Sequence, residues 1–230
     1  SSLQKSEYQR QEFVANVSHE FKTPLTAIEG YATLLQQKNL TEEKRIEYTQ
    51  KILLSTRRLS SLTGNILLLS RLENQEIAVK KECYCLDEQL REIILLLEPS
   101  WSSKQLALDI DLADCSCTAN RELMAHVWQN IIGNAIKYTP EGGHIRITAG
   151  TIADSVWMEV SDDGIGIPEK DRERIFERFY RVDKARSRAT GGSGLGLAIV
   201  KHAVQFHGGT ISASNRPEGG LQFDFTLNKK

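Results

Sequence analysis

The chain has 230 residues, enough for two modest domains that each bury a core, and its 40% hydrophobic and 26% charged content excludes intrinsic disorder. Lysine and arginine (29) nearly balance aspartate and glutamate (30), so the net charge of -1 points neither to nucleic acid nor to an anionic membrane surface as a partner. No apolar run reaches the roughly 20 residues a bilayer span needs and no signal peptide opens the chain, which as given reads as cytoplasmic. It opens inside a helix-like stretch, "LQKSEYQRQEFVANV", and so reads as a piece with an upstream portion missing.

The first 75 residues hold no strand-like or glycine-rich stretch and predict two long helices. Phe13, Val17, Phe21, Leu25, Ile28, Ala32 and Leu35 recur at intervals of four and three, the stripe of an amphipathic helix packed on partner helices. "QKNLT" supplies a turn and Thr41 caps the restart. In the second helix Tyr48, Ile52, Ser55, Leu59, Leu62, Ile66 and Leu69 form a heptad seam, widened by Leu53, Leu67, Leu68 and Leu72. A hairpin with so broad an apolar surface cannot cover itself, so a homodimer closed as a four-helix bundle is expected.

Within the first helix stands "VSHEFKTPLTAIEGY". His19 lies about 200° round the helix from Val17, which turns its imidazole away from the core and toward solvent. Thr23 shares its face, Glu20 flanks it, and Pro24 removes a backbone donor and is expected to kink the helix one turn on.

Past this hairpin comes a linker, 76–82, and then a second domain, 83–230, in which strands and helices intermix without strict alternation. "LDEQLREIILLLEP" predicts a helix capped by Asp87, "LALDIDL" a strand, and "NRELMAHVWQNIIGNAIKYTP" a longer helix ended by proline. "HIRITAG" and "SVWMEVSDD" predict a hairpin, "SGLGLAIVKHAVQFHGG" a glycine-opened helix, and "TISASN" with "LQFDFTL" two closing strands. The class expected is α+β, an α/β sandwich whose mixed sheet is covered by helices on one face, with Leu221, Phe223, Phe225 and Leu227 turned to the core. Cys83, Cys85, Cys115 and Cys117 fall in extended segments as C-x-C pairs; with no turn to wrap a metal, they read as reduced, small hydrophobes rather than a zinc site or disulfides.

Three stretches of the second domain carry chemistry. Asn130 and Asn134 project from one helix face with Lys137 and Tyr138 a turn further on, a set that suits magnesium bound mainly through phosphates, although helices also expose Asn and Lys to no purpose. In "DDGIGIP" a carboxylate precedes Gly164 and Gly166 and is able to accept a hydrogen bond from an exocyclic amine, which adenine has at that edge and guanine lacks; a plain Asp-Gly turn is the bland alternative. In "GGSGLGLAIVK" Gly192, Gly194 and Gly196 lead into a helix whose free N–H groups suit phosphate. The basic "FERFYRVDKARSRATG" before it reads as a solvated loop or as a lid over a triphosphate.

"SHEFKTPLTAIEGY", "NIIGNAIKYTP", "DDGIGIP", "FERFYR" and "GGSGLGLAIVK" stand in the order and spacing of the motif boxes of bacterial sensor histidine kinases, and the resemblance runs from residue 13 to residue 209. It implies a helical dimerisation and histidine phosphotransfer domain, residues 1–75, followed by an ATP-binding domain of the fold shared with gyrase B and the Hsp90 chaperones. By the same resemblance His19 is the phosphoacceptor, Glu20 its acidic neighbour, and Thr23 the residue that supports dephosphorylation of a partner response regulator. Asn134 is then the magnesium ligand with Asn130 beside it, Lys137 and Tyr138 lie near phosphates and base, and Asp162 reads adenine, backed by Gly164 and Gly166. Arg181 approaches the γ-phosphate, and Gly192, Gly194, Leu195 and Gly196 line the phosphates; Asp163 departs mildly from the asparagine frequent in the family.

The activity implied is ATP- and Mg2+-dependent phosphorylation of His19, then transfer to an aspartate of a response regulator receiver domain, in a protein whose missing upstream segment anchors it in the bacterial membrane. An ATP-hydrolysing clamp on the same fold is the alternative, but such relatives place a glutamate where this chain has Asn130; a non-catalytic scaffold would lack motif residues that are all present here. His126, His144, His202 and His207 read as structural or surface residues, and Pro24 as the place where the bundle bends.

Overall fold

The protein is described by a computed structural model over residues 2–74, 80–182 and 192–229, the side chains of residues 2–6 and 9 excepted. The chain divides into two compact units, Ser1–Leu68 and Leu69–Lys230. Residues 75–79 of the expected linker and residues 183–191 of the expected lid lie outside the described residues.

The first unit is a helical hairpin of α1 (Ser2–Leu35) and α2 (Glu42–Glu73), the last turn of α2 belonging to the second unit. Thr41 closes the turn as expected, its Oγ1 accepting the Lys44 N–H at 3.4 Å. Phe13, Val17, Phe21 and Ile28 of the α1 stripe are half-buried, as are Tyr48, Ile52 and Leu59 of the α2 seam, and Leu62 is buried. Tyr31 and Tyr48 meet across the hairpin with ring centroids 5.5 Å apart. α1 is a single helix across Pro24, which is buried and leaves one backbone donor missing from its ladder. Val14 (57% exposed) and Leu54 (64%) remain open, so one hairpin leaves apolar surface uncovered.

In the second unit β1 (Glu82–Cys85) pairs antiparallel with β3 (Ser116–Ala119) as a two-stranded ribbon, Cys83 opposite Thr118 and Tyr84 opposite Cys117. Directly opposed residues share a face, so Cys83 and Cys85 lie on one side of the ribbon and Cys117 on the other. The first two thiols are exposed and Cys115 and Cys117 are buried. Between the two strands come α3 (Leu86–Leu96), α4 (Glu98–Ser103) and β2 (Ala107–Leu112).

After them follow α5 (Arg121–Tyr138), β4 (His144–Ile152), β5 (Ser155–Asp162), two 3-10 turns, α6 (Gly196–Phe206), β6 (Thr210–Asn215) and β7 (Leu221–Asn228). The main sheet has the order β2-β4-β5-β7-β6, parallel between β2 and β4 and antiparallel elsewhere, which makes it mixed as expected.

Alternation sorts the strands onto two faces. Ile145, Ile147, Val156, Met158, Val160, Phe223 and Phe225 are each at most 2% exposed and turn toward the helices, where Trp128 of α5 meets Phe225 edge-on at 5.3 Å. Burying each such side chain contributes about 1.5–3 kcal/mol, so this layer dominates the unit's stability. The opposite face carries Arg146, Thr148, Trp157, Glu159 and Gln222 around an open polar depression of about 440 Å³.

One helix start differs from expectation. Asp87 does not cap α3; Cys85 holds the N-cap position without a side-chain bond, and Asp87 lies within the first turn. Its Oδ1 accepts the Cys115 N–H at 3.2 Å, because the ladder bond from Leu86 N–H to the Cys115 carbonyl at 2.8 Å draws the helix start onto the ribbon.

Candidate functional site

The α5 helix is built to expose one face. Asn120 caps it, its Oδ1 accepting the Leu123 N–H at 2.7 Å, and Leu123, Met124, Val127, Trp128, Ile131, Ile132, Ala135 and Ile136 are buried. Asn130, Asn134 and Lys137 are left half-buried on the other face, with Tyr138 at the end 40% exposed. The last turn is fastened by Lys104, whose Nζ donates to the carbonyls of Ile136 (2.7 Å), Lys137 (3.2 Å) and Thr139. A lysine ammonium here satisfies carbonyls that the helix cannot pair and complements the negative end of its dipole.

The glycine run before α6 lies against that face. A Cβ on Gly196 would collide with Asn130 Oδ1, and one on Gly192 would stand 3.1 Å from Lys137 Nζ. Asn130 Nδ2 donates to the His126 carbonyl at 2.8 Å, which fixes its carboxamide toward Gly196. Gly194 has φ +73° and its backbone lies so close to Phe179 that a Cβ would come within 2.8 Å, a position only glycine fills. Phe179 itself has φ +60°, and its N–H donates to the Gly194 carbonyl at 2.9 Å. The "FERFYR" segment is thus hooked to the glycine run. Tyr180 beside it donates to the buried Asp171 Oδ1 at 2.6 Å and stacks under the Arg174 guanidinium at 4.3 Å.

Asp162 ends β5 and is 4% exposed. Its Oδ1 accepts the N–H groups of Gly164 (2.8 Å) and Leu221 (3.3 Å). Burial pushes its carboxyl above the usual aspartate range, against those two hydrogen bonds and the Arg216 charge. Gly164 lies against the Tyr138 carbonyl, which brings the loop after β5 to the end of α5. Burial likewise raises the Tyr138 hydroxyl, opposed by the charge of Arg181. Asp163 Oδ1 accepts the His144 N–H at 2.9 Å and so fastens the edge of β4. Leu195 is fully buried.

The described residues of the second unit therefore gather Asn130, Lys137, Tyr138, Asp162, Gly164, Arg181, Gly192, Gly194 and Gly196 into one neighbourhood, with Asn134 on the same α5 face. Sequence reasoning passed over Lys104, Asn215 and Arg216, which buttress it; each is a single polar residue at the end of an element or in a turn, and its partner is far away in sequence. No group of three His, Cys, Asp or Glu side chains able to hold a metal occurs among the described residues.

The first unit carries the other candidate residues. His19 is 63% exposed and its Nδ1 faces Glu20 Oε1 at 3.9 Å, while Glu20 Oε2 lies 3.7 Å from Arg58 Nη2 of α2. Glu20 is only 14% exposed, so its carboxylate sits between imidazole and guanidinium. Thr23 is exposed and its Oγ1 donates to the His19 carbonyl at 3.3 Å, one turn away on the same face. Among the other histidines, His207 is buried and holds Asn120, whereas His126 is exposed.

Residues 9–75 match the family described as His Kinase A (phospho-acceptor) domain, and residues 119–230 match the family of histidine kinase-, DNA gyrase B- and HSP90-like ATPases. The chain is 37% identical over 235 residues to the sensor histidine kinase WalK of Bacillus subtilis, covering 99% of this chain and 38% of WalK. It spans about half, or less, of the length of the curated relatives it matches. Among solved structures, the catalytic domain of histidine kinase ThkA is 30% identical with a TM-score of 0.60, covering 66% of this chain and 97% of that domain. Full-length ShkA in complex with AMPPNP is 30% identical with a TM-score of 0.69, over 94% of this chain and 45% of ShkA. ThkA in complex with the response regulator protein TrrA gives a TM-score of 0.74 at 26% identity, over 100% of this chain and 66% of ThkA. With the helical hairpin matching the phospho-acceptor family, the sandwich matching the ATPase family and nearly all of the ThkA catalytic domain covered at 30% identity, the chain belongs to the histidine kinases.

Proposed function

We propose that this chain is the kinase portion of a two-component sensor histidine kinase, with residues 1–75 as the dimerising phosphotransfer hairpin, 76–82 as linker and 83–230 as the ATP-binding domain. It transfers the γ-phosphoryl group of ATP to His19, passes it to an aspartate of a response regulator receiver domain, and dephosphorylates that regulator with the help of Thr23. The observation that carries this reading is the exposed His19 imidazole with Nδ1 turned to Glu20, itself paired with Arg58. An Nδ1–H held toward a carboxylate leaves the Nε2 lone pair free to attack phosphorus, forming the N–P bond as the bond to the departing ADP oxygen breaks.

The second unit supplies what that reaction needs. Lys137, Arg181 and the N–H groups of Gly192, Gly194 and Gly196 offer positive charge and donors to phosphates, and Asp162 offers an acceptor to the adenine amine. The Asn134 carboxamide, with Asn130 beside it, fits Mg2+, a hard cation that keeps waters and takes most other ligands from phosphates. When bound, that ion neutralises charge developing on the phosphoryl oxygens. Asn130 is a carboxamide with no carboxylate to activate water, and its Nδ2 is already engaged by the His126 carbonyl; this favours transfer to His19 over hydrolysis.

ShkA bound to AMPPNP supports an ATP site, and ThkA bound to TrrA supports a regulator as partner. The apolar surface left open on the hairpin supports a homodimer. No described helix is long and apolar enough to cross a membrane. Attachment of the full-length protein to the bacterial membrane is part of the proposed reading, implied by the family resemblance. The test is incubation with Mg2+ and γ-labelled ATP beside His19→Gln. Acid-labile, alkali-stable label that vanishes in the variant supports the reading; steady phosphate release independent of His19 overturns it in favour of a hydrolytic clamp.

A further inference from the structure

We propose that the turn between β6 and β7 is the layer that sets the base selectivity of the nucleotide site, with Asn215 as its positioning residue. Asn215 uses both ends of its carboxamide on one peptide: Oδ1 accepts the Ile167 N–H at 2.9 Å and Nδ2 donates to the Ile167 carbonyl at 2.6 Å. A carboxamide thereby takes the place a neighbouring strand would take and pins the loop that follows Asp162. The pin sits where the loop has least latitude. Gly166 has φ +62°, and a Cβ there would stand 2.8 Å from Asn215 Oδ1.

The rest of the turn grips Asp162 directly. Arg216 Nη1 donates to the Asp162 carbonyl at 3.2 Å, Leu221 N–H donates to Oδ1 at 3.3 Å, and the Gly220 backbone lies so near that carbonyl that no side chain fits between. Gly164 donates to the same Oδ1 at 2.8 Å. With both backbone donors converging on Oδ1, the carboxylate is fixed in one rotation and Oδ2 is presented as the acceptor. A carboxylate so held pairs with the 6-amino group of adenine and repels the 6-carbonyl of guanine; one free to rotate accommodates either base through water.

This inference rests on Asp162 being the base-reading group, so the experiment includes that residue. In the full chain, affinities for ATP, GTP and inorganic tripolyphosphate are measured by displacement of a fluorescent nucleotide for wild type, Asn215→Ala, Asn215→Asp, Arg216→Gln and Asp162→Asn. Asn215→Ala is expected to weaken ATP by about tenfold, leave tripolyphosphate unchanged and so collapse the ATP-to-GTP ratio. Asn215→Asp keeps the acceptor for Ile167 N–H but loses the donor, and falls between. In His19 labelling the KM for ATP rises more than kcat falls. Equal weakening of all three ligands, or an unchanged ratio in Asn215→Ala while Asp162→Asn abolishes it, overturns the positioning role alone. An unchanged ratio in Asp162→Asn overturns the reading of Asp162 and the inference with it. If Asn215→Ala does not fold, Arg216→Gln decides: a smaller fall in the same ratio supports the inference, and no fall overturns it.

Discussion

His207 Nε2 accepts the backbone N–H of Asn120 at 3.0 Å while its Nδ1 donates to the Ala203 carbonyl at 2.7 Å, so the end of α6 holds the start of α5. The ring is buried beside Phe206, with Lys81 the nearby charge, and burial lowers its pKa below the ordinary 6.5. Only a neutral ring can accept from Asn120. In the unfolded chain His207 takes up a proton near 6.5, whereas the folded protein resists it until the pH is lower, so the unfolded state binds more protons across that window. Stability is therefore expected to be full above about pH 6.5 and to decline as pH falls through the window between the two values. Thermal unfolding of His207→Gln, whose amide keeps an acceptor without titrating, checks this: its melting temperature should vary less than that of wild type over that range.

Lys104 donates to the carbonyls of Ile136, Lys137 and Thr139, the frayed end of the helix that carries Lys137 and Tyr138. Removing the ammonium strands those carbonyls beside partly buried structure. Lys104→Met is expected to cost about 1–3 kcal/mol in urea unfolding and to weaken ATP binding, because the last turn that aims Lys137 loosens with it. Lys104→Arg, which keeps the charge with other reach, should recover part of both. Stability lost with ATP affinity intact would show that the last turn does not position Lys137.

These two contacts also mark where the sequence stops being readable. The hairpin, the sandwich and the glycine run follow from periods of 3.6 and 2 and from glycine placement, which are local properties. Lys104 and Asn215 act on residues 32 and 48 positions away, and a lone lysine in "SSKQ" or asparagine in "SASNRP" carries no local sign of such a partner. Phe179 at φ +60° is equally silent, because a bulky residue in the left-handed region is imposed by surrounding structure, not by its own preference. Asp87 failed as a cap for a related reason: the carboxylate that suits a helix start was claimed by Cys115 N–H, a contact set by ribbon pairing. Asn130 was legible as a helix-face amide and its bond to His126 is local to α5, but its contact with Gly196 needed the second helix in place.

Glu20 lies between His19 and Arg58; in the proposed mechanism its charge serves the first while the second keeps it in place. Glu20→Gln retains shape and removes the charge that favours the Nδ1–H tautomer and stabilises the imidazolium-like product. His19 labelling at saturating ATP is expected to slow by about 100-fold or more, with nucleotide affinity unchanged. Arg58→Ala should give a smaller loss in the same direction, since a mispositioned carboxylate still supplies charge. Unaltered labelling kinetics in Glu20→Gln would remove the carboxylate from the mechanism.

On the proposed reading Asp162 is the base acceptor, and its ionisation then links pH to base recognition. Its carboxyl is raised by burial, so on acidification it takes up a proton above the range in which an exposed aspartate does. Protonated, it turns from acceptor to donor, which disfavours the adenine amine and favours the guanine carbonyl. The ratio of ATP to GTP affinity is the quantity to follow, because titration of the phosphates and of the basic groups around them affects both nucleotides alike and cancels. That ratio is expected to fall as pH drops toward the raised carboxyl, before exposed aspartates titrate, and to be flat in Asp162→Asn, whose amide does not ionise. A wild-type ratio that stays constant until the protein unfolds would mean that the ionisation of this carboxyl does not govern the choice of base.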